Sequence, residues 1–222
     1  MAFPPARVDG GDVNRAFDEL SVLMDGPGRR HYGENITIAE HSLLTAAAAQ
    51  KQGEGDSLVA ACLMHDVGHW LGEPDDDFGI HTHADSGGAW VAERFGPAVS
   101  EPVRLHVAAK RFLCARDPGY HDRLSPASQY TLEQQGGPMS EVEADDFESN
   151  EFVDDAVRLR VLEDDHGKQS GAEVPPLEHF RALLESLEES LDIMRDDDLM
   201  ASIRQSRQEA AEGHLKPLID DR

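Results

Sequence analysis

Leu58-Val59-Ala60-Ala61-Cys62-Leu63-Met64-His65-Asp66-Val67-Gly68-His69 runs apolar for its first seven residues and then sets a histidine beside an aspartate. The apolar lead-in argues for a buried helix, where an unpaired aspartate is expensive. A neighbouring His and Asp offer an imidazole nitrogen and a carboxylate oxygen to one small region of space. The carboxylate has two oxygens and can bridge two metal ions. Buried donors of this kind suit Fe, Mn or Zn. The dipeptide by itself occurs by chance in many proteins, so its meaning depends on what else the chain supplies.

Outward from this run the pattern is helical almost throughout. Residues 13–23 place Phe17, Leu20, Val22 and Leu23 at helical spacing. Thr37-Ile38-Ala39-Glu40 has capping-box form and opens an Ala-rich helix that runs to about Lys51. Asp56 is read as the cap of the next helix, which is expected to carry His65, Asp66 and His69. A loop rich in Gly, Pro and Asp follows over 72–82, then helices over 83–95 and 99–113 on either side of the Gly96-Pro97 break. Further helices are expected over 140–148, 152–164, 177–194 and 199–212, and neither a convincing strand nor an internal repeat is signalled. The expectation is all-α, with a single domain over 1–195 and an acidic C-terminal extension over 196–222.

With 222 residues the chain is long enough for one substantial core. No apolar run approaches the roughly 20 residues of a membrane span. The start, Met1-Ala2-Phe3-Pro4-Pro5-Ala6-Arg7, lacks the basic and apolar regions of a signal peptide. Cys62 and Cys114 fit neither a zinc spacing nor a disulfide framework, so a cytoplasmic location is expected. The formal charge of −24 argues against a nucleic-acid surface, which needs clustered Lys and Arg. Lysines stand only at 51, 110, 168 and 216, and Asp runs recur along the chain. This is a solvated acidic surface of the kind a salt-rich cytoplasm favours, and it makes a lysine in apolar company conspicuous.

Several of the eleven histidines fall within expected helices on apolar faces. His41 follows the capping box, His65-Asp66 comes next, His83 opens a helix, His106 sits mid-helix and Asp164 ends another. A lone helical histidine is more often an ordinary core or surface residue than a ligand. Five such positions on successive helices reverse that reading. Four imidazoles and two carboxylates suffice for two metal ions sharing Asp66, and a helical bundle aims such groups inward.

In this order and spacing the residues resemble the HD-domain superfamily, whose pattern is His41, His65-Asp66 and Asp164, with His83 and His106 added as in its dinuclear members. Tyr32-Gly33-Glu34, His106-Val107-Ala108-Ala109-Lys110-Arg111, Leu124-Ser125-Pro126-Ala127-Ser128 and Gln134-Gln135-Gly136-Gly137-Pro138-Met139 narrow the resemblance. They are similar to the mixed-valent diiron oxygenases that cleave phosphonates such as 2-amino-1-hydroxyethylphosphonate and its trimethylammonio counterpart. The similarity spans roughly residues 30–179.

The resemblance implies an HD-domain helical bundle around a dinuclear site of Fe(II)/Fe(III), and O2-dependent cleavage of a C–P bond to phosphate and glycine or glycine betaine. Metal ligands would be His41, His65, Asp66, His83, His106 and Asp164. His81 competes with His83, which is preferred because His83 and Gly87 form a His-x-x-x-Gly pattern. Tyr32 and Glu34 would act as a lid, Tyr32 on an iron and Glu34 near the substrate nitrogen, and an alternative register puts His31 in place of Tyr32. Lys110, one turn after His106, would bring a cation to the anionic phosphonate, and His69 a further donor. Ser128 and Gln135 would add neutral donors, and an arginine, Arg158 or Arg160, would also touch the phosphonate. A 2-oxoglutarate-dependent hydroxylase would install the C1 hydroxyl. The competing reading is an HD-domain phosphohydrolase, in which metal-bound hydroxide attacks a phosphate ester.

Overall fold

The computed structural model describes residues 15–31, 36–72, 83–169 and 171–213. Among these the regular structure is helical, and the one β-bridge, between His31 and Thr37, belongs to no strand. The helices are α1 (Arg15–Asp25), α2 (Ile38–Lys51), α3 (Asp56–Met64), α4 (His83–Phe95), α5 (Pro97–Arg116), α6 (Tyr120–Arg123), α7 (Pro126–Gln134), α8 (Glu141–Glu148), α9 (Val153–His166), α10 (Arg181–Arg195) and α11 (Asp197–Ala211). No described helix is long and apolar enough to cross a membrane.

The central element is α3. Residues Leu58 to Met64 are all buried, and the helix is enclosed by α2, α5, α9 and α10. Fully burying a Leu, Val or Met side chain contributes about 1.5–3 kcal/mol, so this short helix anchors the core despite its length. Its start differs from expectation: Gly55 is the cap and Asp56 lies in the first turn, where a carboxylate meets the positive end of the helix dipole. α2 begins as its sequence dictates, with Thr37 accepting from the Glu40 amide and Glu40 accepting from the Thr37 amide at 2.7 Å. Gly96, at φ 76°, separates α4 from the Pro97 start of α5, and the two helices then pack against each other.

The largest departure lies at the His-Asp pair. The expected continuous helix stops at Met64, His65 closes it, and Asp66 takes φ −100°, ψ 8° before a 3-10 turn over Val67–Trp70. That bridge-region conformation is sparsely populated and frequent at active sites. It tilts the Asp66 carboxylate out of the helix register. α6 and α7, which hydrophobic periodicity did not single out, close the bundle beside α5 and α9; α7 is capped by the Ser125 hydroxyl and carries Pro126 in its first turn. At the far end, α11 packs on α10 with none of its residues buried.

Candidate metal centre

α2, α3, α4, α5 and α9 each bring a donor to one buried point. His41, His65, Asp66, His83 and His106 are 0–7 % exposed. His41 and His65 present their Nε2 atoms to each other at 3.1 Å, and His83 and His106 do the same at 3.2 Å. Asp66 stands between the pairs. Its Oδ2 lies 3.4 Å from His65 and 3.7 Å from His41, and its Oδ1 lies 3.8 Å from His106 and 3.9 Å from His83.

This arrangement fits metal. Two imidazoles bound cis to one ion at about 2.1 Å lie about 3.0 Å apart, and any two ligands of one ion lie within about 4.2 Å. The tautomers agree as well. The Nδ1 atoms of His41, His65 and His106 lie 2.8, 2.8 and 2.7 Å from the carbonyls of Gly167, Cys62 and Val103. With Nδ1–H donating there, each Nε2 is left with its lone pair directed inward, the usual outer support of a metal-bound histidine. Without a cation, the carboxylates bear on the rings unequally. Burial lowers the His65 pKa, but the charge of Asp66 and its hydrogen bond outweigh it and raise the group to about 9. Burial and the neighbouring His83 push His106 down to about 3. Binding a cation would therefore displace protons from this cluster.

A second buried carboxylate faces the first histidine pair. Glu163 places Oε1 3.8 Å from His41 Nε2 and Oε2 3.9 Å from His65 Nε2. Asp164 faces away from them. Its Oδ1 accepts from Arg160 Nη2 at 2.5 Å and Lys168 Nζ at 3.0 Å. Its Oδ2 accepts from Arg160 Nε at 2.8 Å and the Tyr120 hydroxyl at 2.7 Å. Four donors fill the acceptor capacity of one carboxylate, so Asp164 is an anchor for cations. Asp164, expected from the sequence as a ligand, therefore points at cations, and Glu163 is the carboxylate that faces His41 and His65.

A cavity opens beside this cluster, lined by Asp66, His69, Lys110, Ser128, Gln135 and Arg160 among others. His69 stacks on His83 with ring centroids 4.0 Å apart, and its Nε2 is 3.8 Å from Asp66 Oδ1. Lys110 is 2 % exposed and donates to the Thr131 hydroxyl at 2.7 Å. Burial, reinforced by the charge of Arg160, lowers its pKa to about 7. Of the two candidate arginines, Arg160 is in the cavity and Arg158 is at the periphery, bonded to Glu54 and Gln52. His31 is exposed. Tyr32, Glu34 and His81 lie outside the described residues.

Sequence reasoning missed Glu163, Thr131, Lys168 and two glycines. A Cβ on Gly68 would fall 1.9 Å from the His83 carbonyl oxygen. One on Gly167 would fall 2.4 Å from Thr45 Oγ1 and 2.7 Å from the His41 ring. Both allow a ligand helix to approach the cluster. The Glu163-Asp164-Asp165 run offers three carboxylates in a row, and in the folded helix it is Glu163, three residues after Arg160, that faces the histidines.

An HD domain family model matches residues 38–135. The chain is 38% identical over 190 residues to 1-hydroxy-2-(trimethylamino)ethylphosphonate dioxygenase (glycine-betaine-forming) of Leisingera caerulea, covering 82% of this chain and 96% of that protein. It is also 38% identical over 172 residues to hydroxymethylphosphonate dioxygenase of Gimesia maris, with 75% and 85% covered. An uncharacterised Acanthamoeba polyphaga mimivirus protein, L432, is 32% identical over 170 residues, with 73% and 77% covered. With the all-α bundle, the buried His/Asp cluster and these relatives together, the chain belongs to the HD-domain phosphonate dioxygenases, oxygen-dependent enzymes.

Proposed function

We propose that this protein is a diiron oxygenase that cleaves the C–P bond of a 1-hydroxy-2-aminoethylphosphonate-type substrate, amino or trimethylammonio, to phosphate and glycine or glycine betaine. The observation that carries this reading is the placement of one buried carboxylate, Asp66, between two facing histidine pairs, next to a cavity walled by Lys110 and Arg160.

His41, His65, Asp66 and Glu163 would hold one iron, and Asp66, His83 and His106 the other. When bound, the Fe(II)/Fe(III) pair supplies the redox chemistry with O2 and a place for the substrate's C1 hydroxyl and one phosphonate oxygen. The residues of the chain do the rest. Lys110, held in place by Thr131, offers its ammonium to the phosphonate; an arriving anion stabilises the protonated form against the burial that lowers its pKa. Ser128, Gln135 and Arg160 line the same wall and supply further donors, and His69 adds a ring nitrogen beside the second histidine pair. The burial of Lys110 and Arg160 lowers the local dielectric, which strengthens each of these charge contacts. Tyr32, or His31 in the alternative register, as a lid on an iron and Glu34 as the partner of the substrate amine complete the reading, in a cytoplasmic enzyme supplied by a 2-oxoglutarate-dependent hydroxylase.

The relatives bear on the substrate. One is named for a trimethylamino substrate and one for hydroxymethylphosphonate, which has no amine. The test is a panel of the amino, trimethylammonio and hydroxymethyl compounds, with O2 uptake and phosphate release followed together after anaerobic iron loading. Coupled consumption and release with an amine-bearing substrate is the expected result. Phosphate release from phosphate monoesters without O2 uptake would instead establish the hydrolase. Lys110→Met should raise KM by about 10- to 100-fold, as loss of a charge-assisted hydrogen bond does, with iron content unchanged.

A further inference from the structure

Lys168, one of the four lysines of the chain, has no part in the reading above. The structure gives it a specific set of partners. It lies two residues past the end of α9, is 15% exposed by side chain, and sits on the cavity wall. Its Nζ donates to Ser128 Oγ at 2.6 Å and to Asp164 Oδ1 at 3.0 Å, with Ser125 Oγ at 3.5 Å. An ammonium has three N–H groups, and these three oxygens occupy them. Lys168 therefore has no donor to spare for a ligand.

Its effect falls on Ser128. A hydroxyl has two acceptor sites and one proton to give. Ser128 Oγ accepts from Lys168 at 2.6 Å and from Arg160 Nη2 at 3.4 Å. Both donors are cations that cannot accept in return. With both acceptor sites taken, the hydroxyl can act only as a donor, and it lines the cavity. A neutral hydroxyl that is free to rotate would meet a ligand as donor or acceptor with little preference.

We propose that Lys168 is a positioning residue which, with Arg160, fixes the Ser128 hydroxyl as an obligatory hydrogen-bond donor, so that the cavity selects a fully ionised oxyanion with acceptor oxygens only. Asp164 serves the same end by holding both cations on one carboxylate. A phosphonate dianion satisfies such a wall. A phosphonate monoester, with one oxygen alkylated and a single negative charge, does so less well. The proposal rests on the reading of this cavity as the phosphonate site and extends it to a selecting device.

The test uses the metal-loaded full-length chain and methylphosphonate, which has no C1 hydroxyl to oxidise, titrated by calorimetry. Lys168→Met should weaken binding by about 10-fold or more, the scale of a charge-assisted hydrogen bond. Lys168→Arg should restore it to within about threefold, because a guanidinium also donates to Ser128. The decisive measurement is the double-mutant cycle. Once Ser128→Ala is present, Lys168→Met should cost nothing further, and preference for methylphosphonate over its monomethyl ester should fall in each variant alike. Losses that multiply in the double variant would mean that Lys168 acts on the ligand or the fold independently and would overturn the proposal, as would wild-type binding by Lys168→Met. Should Lys168→Met fail to hold metal or fold, Lys168→Gln, which keeps an N–H donor without the charge, takes its place in the cycle, and wild-type binding by it, or a loss that multiplies with that of Ser128→Ala, overturns the proposal. Absence of O2 uptake with every hydroxyphosphonate would refute the oxygenase reading but leave this cycle interpretable as an anion site.

Discussion

At the scale of single residues, the centre turns on which carboxylates face the imidazoles. Asp66 touches both histidine pairs, one oxygen to each, and is held ionised because His65 and its neighbours outweigh the cost of burial. Glu163 and Asp164 are adjacent in sequence but differ in office. An α-helix turns about 100° per residue, so neighbours point to different faces. If the centre is dinuclear as proposed, Asp66→Ala should lose both metal ions, Glu163→Ala mainly the ion on the His41 side, and Asp164→Asn should keep both while weakening anion binding by about 10-fold through Arg160 and Lys168. Metal analysis after anaerobic loading, paired with anion titration, separates these outcomes. If Asp164→Asn lost metal and Glu163→Ala kept it, the assignment of Glu163 would be wrong. The sequence already contained five of the donors, because each histidine stands alone on an apolar face and His65-Asp66 follows the apolar run. It could not choose within a run of three acids, since a shift of one residue along a helix turns a side chain by about 100° and only the folded helix reveals which one turns inward.

At the scale of elements, what was legible follows from local chemistry. The Thr37 to Glu40 and Ser140 to Glu143 capping boxes, the Gly96-Pro97 break and the apolar run of α3 all act within a few residues, and the helices they bound form where expected. What was not legible depends on tertiary approach. The end of α3 at Met64 has no breaker in its sequence. It coincides with the point where Asp66 meets the two histidine pairs and α4 packs against the following turn. Gly68 marks that contact, since any side chain there would collide with the backbone at His83, and Gly87 packs against the Gly68 amide from the other side. A backbone carbonyl cannot swing away as a side chain tip can. Gly68→Ala should therefore shift the start of α4, lower the melting temperature by several degrees, as an overpacking cost of about 1–3 kcal/mol does, and, on the proposed dinuclear reading, release the ion at His83 and His106 before the other. A variant that keeps both ions and melts with the wild type would show that the approach of α4 is not tight at this point.

At the scale of the whole molecule, charge dominates. Forty-four Asp and Glu face twenty Lys and Arg, giving −24. Some acids are paired, as where Arg116 gathers Glu141, Asp145 and Glu148, but the cations run out long before the carboxylates do. Salt screens both kinds of interaction, and the sign of the net effect follows from their numbers. Surface pairs contribute little, about 0–1 kcal/mol each, whereas repulsion acts among all the unpaired carboxylates and opposes the compact state. The Debye length falls from about 8 Å at 0.15 M to about 3 Å at 1 M, below the spacing of neighbouring surface charges. The melting temperature should consequently rise as KCl or NaCl goes from physiological to molar strength. The cavity should respond in the opposite direction. Lys110 and Arg160 are buried and little screened once an anion is bound, but an anion crossing an acidic surface in dilute salt is repelled, and in concentrated salt it competes with chloride for the same cations. Competition grows with salt after the surface field is already screened, so binding of methylphosphonate should loosen towards molar chloride while stability climbs. Thermal melts and titrations over one salt series, repeated with a larger, weakly competing anion, test both halves. A melting temperature that stays flat or falls between 0.15 M and 1 M would show that the acidic surface is not what limits stability.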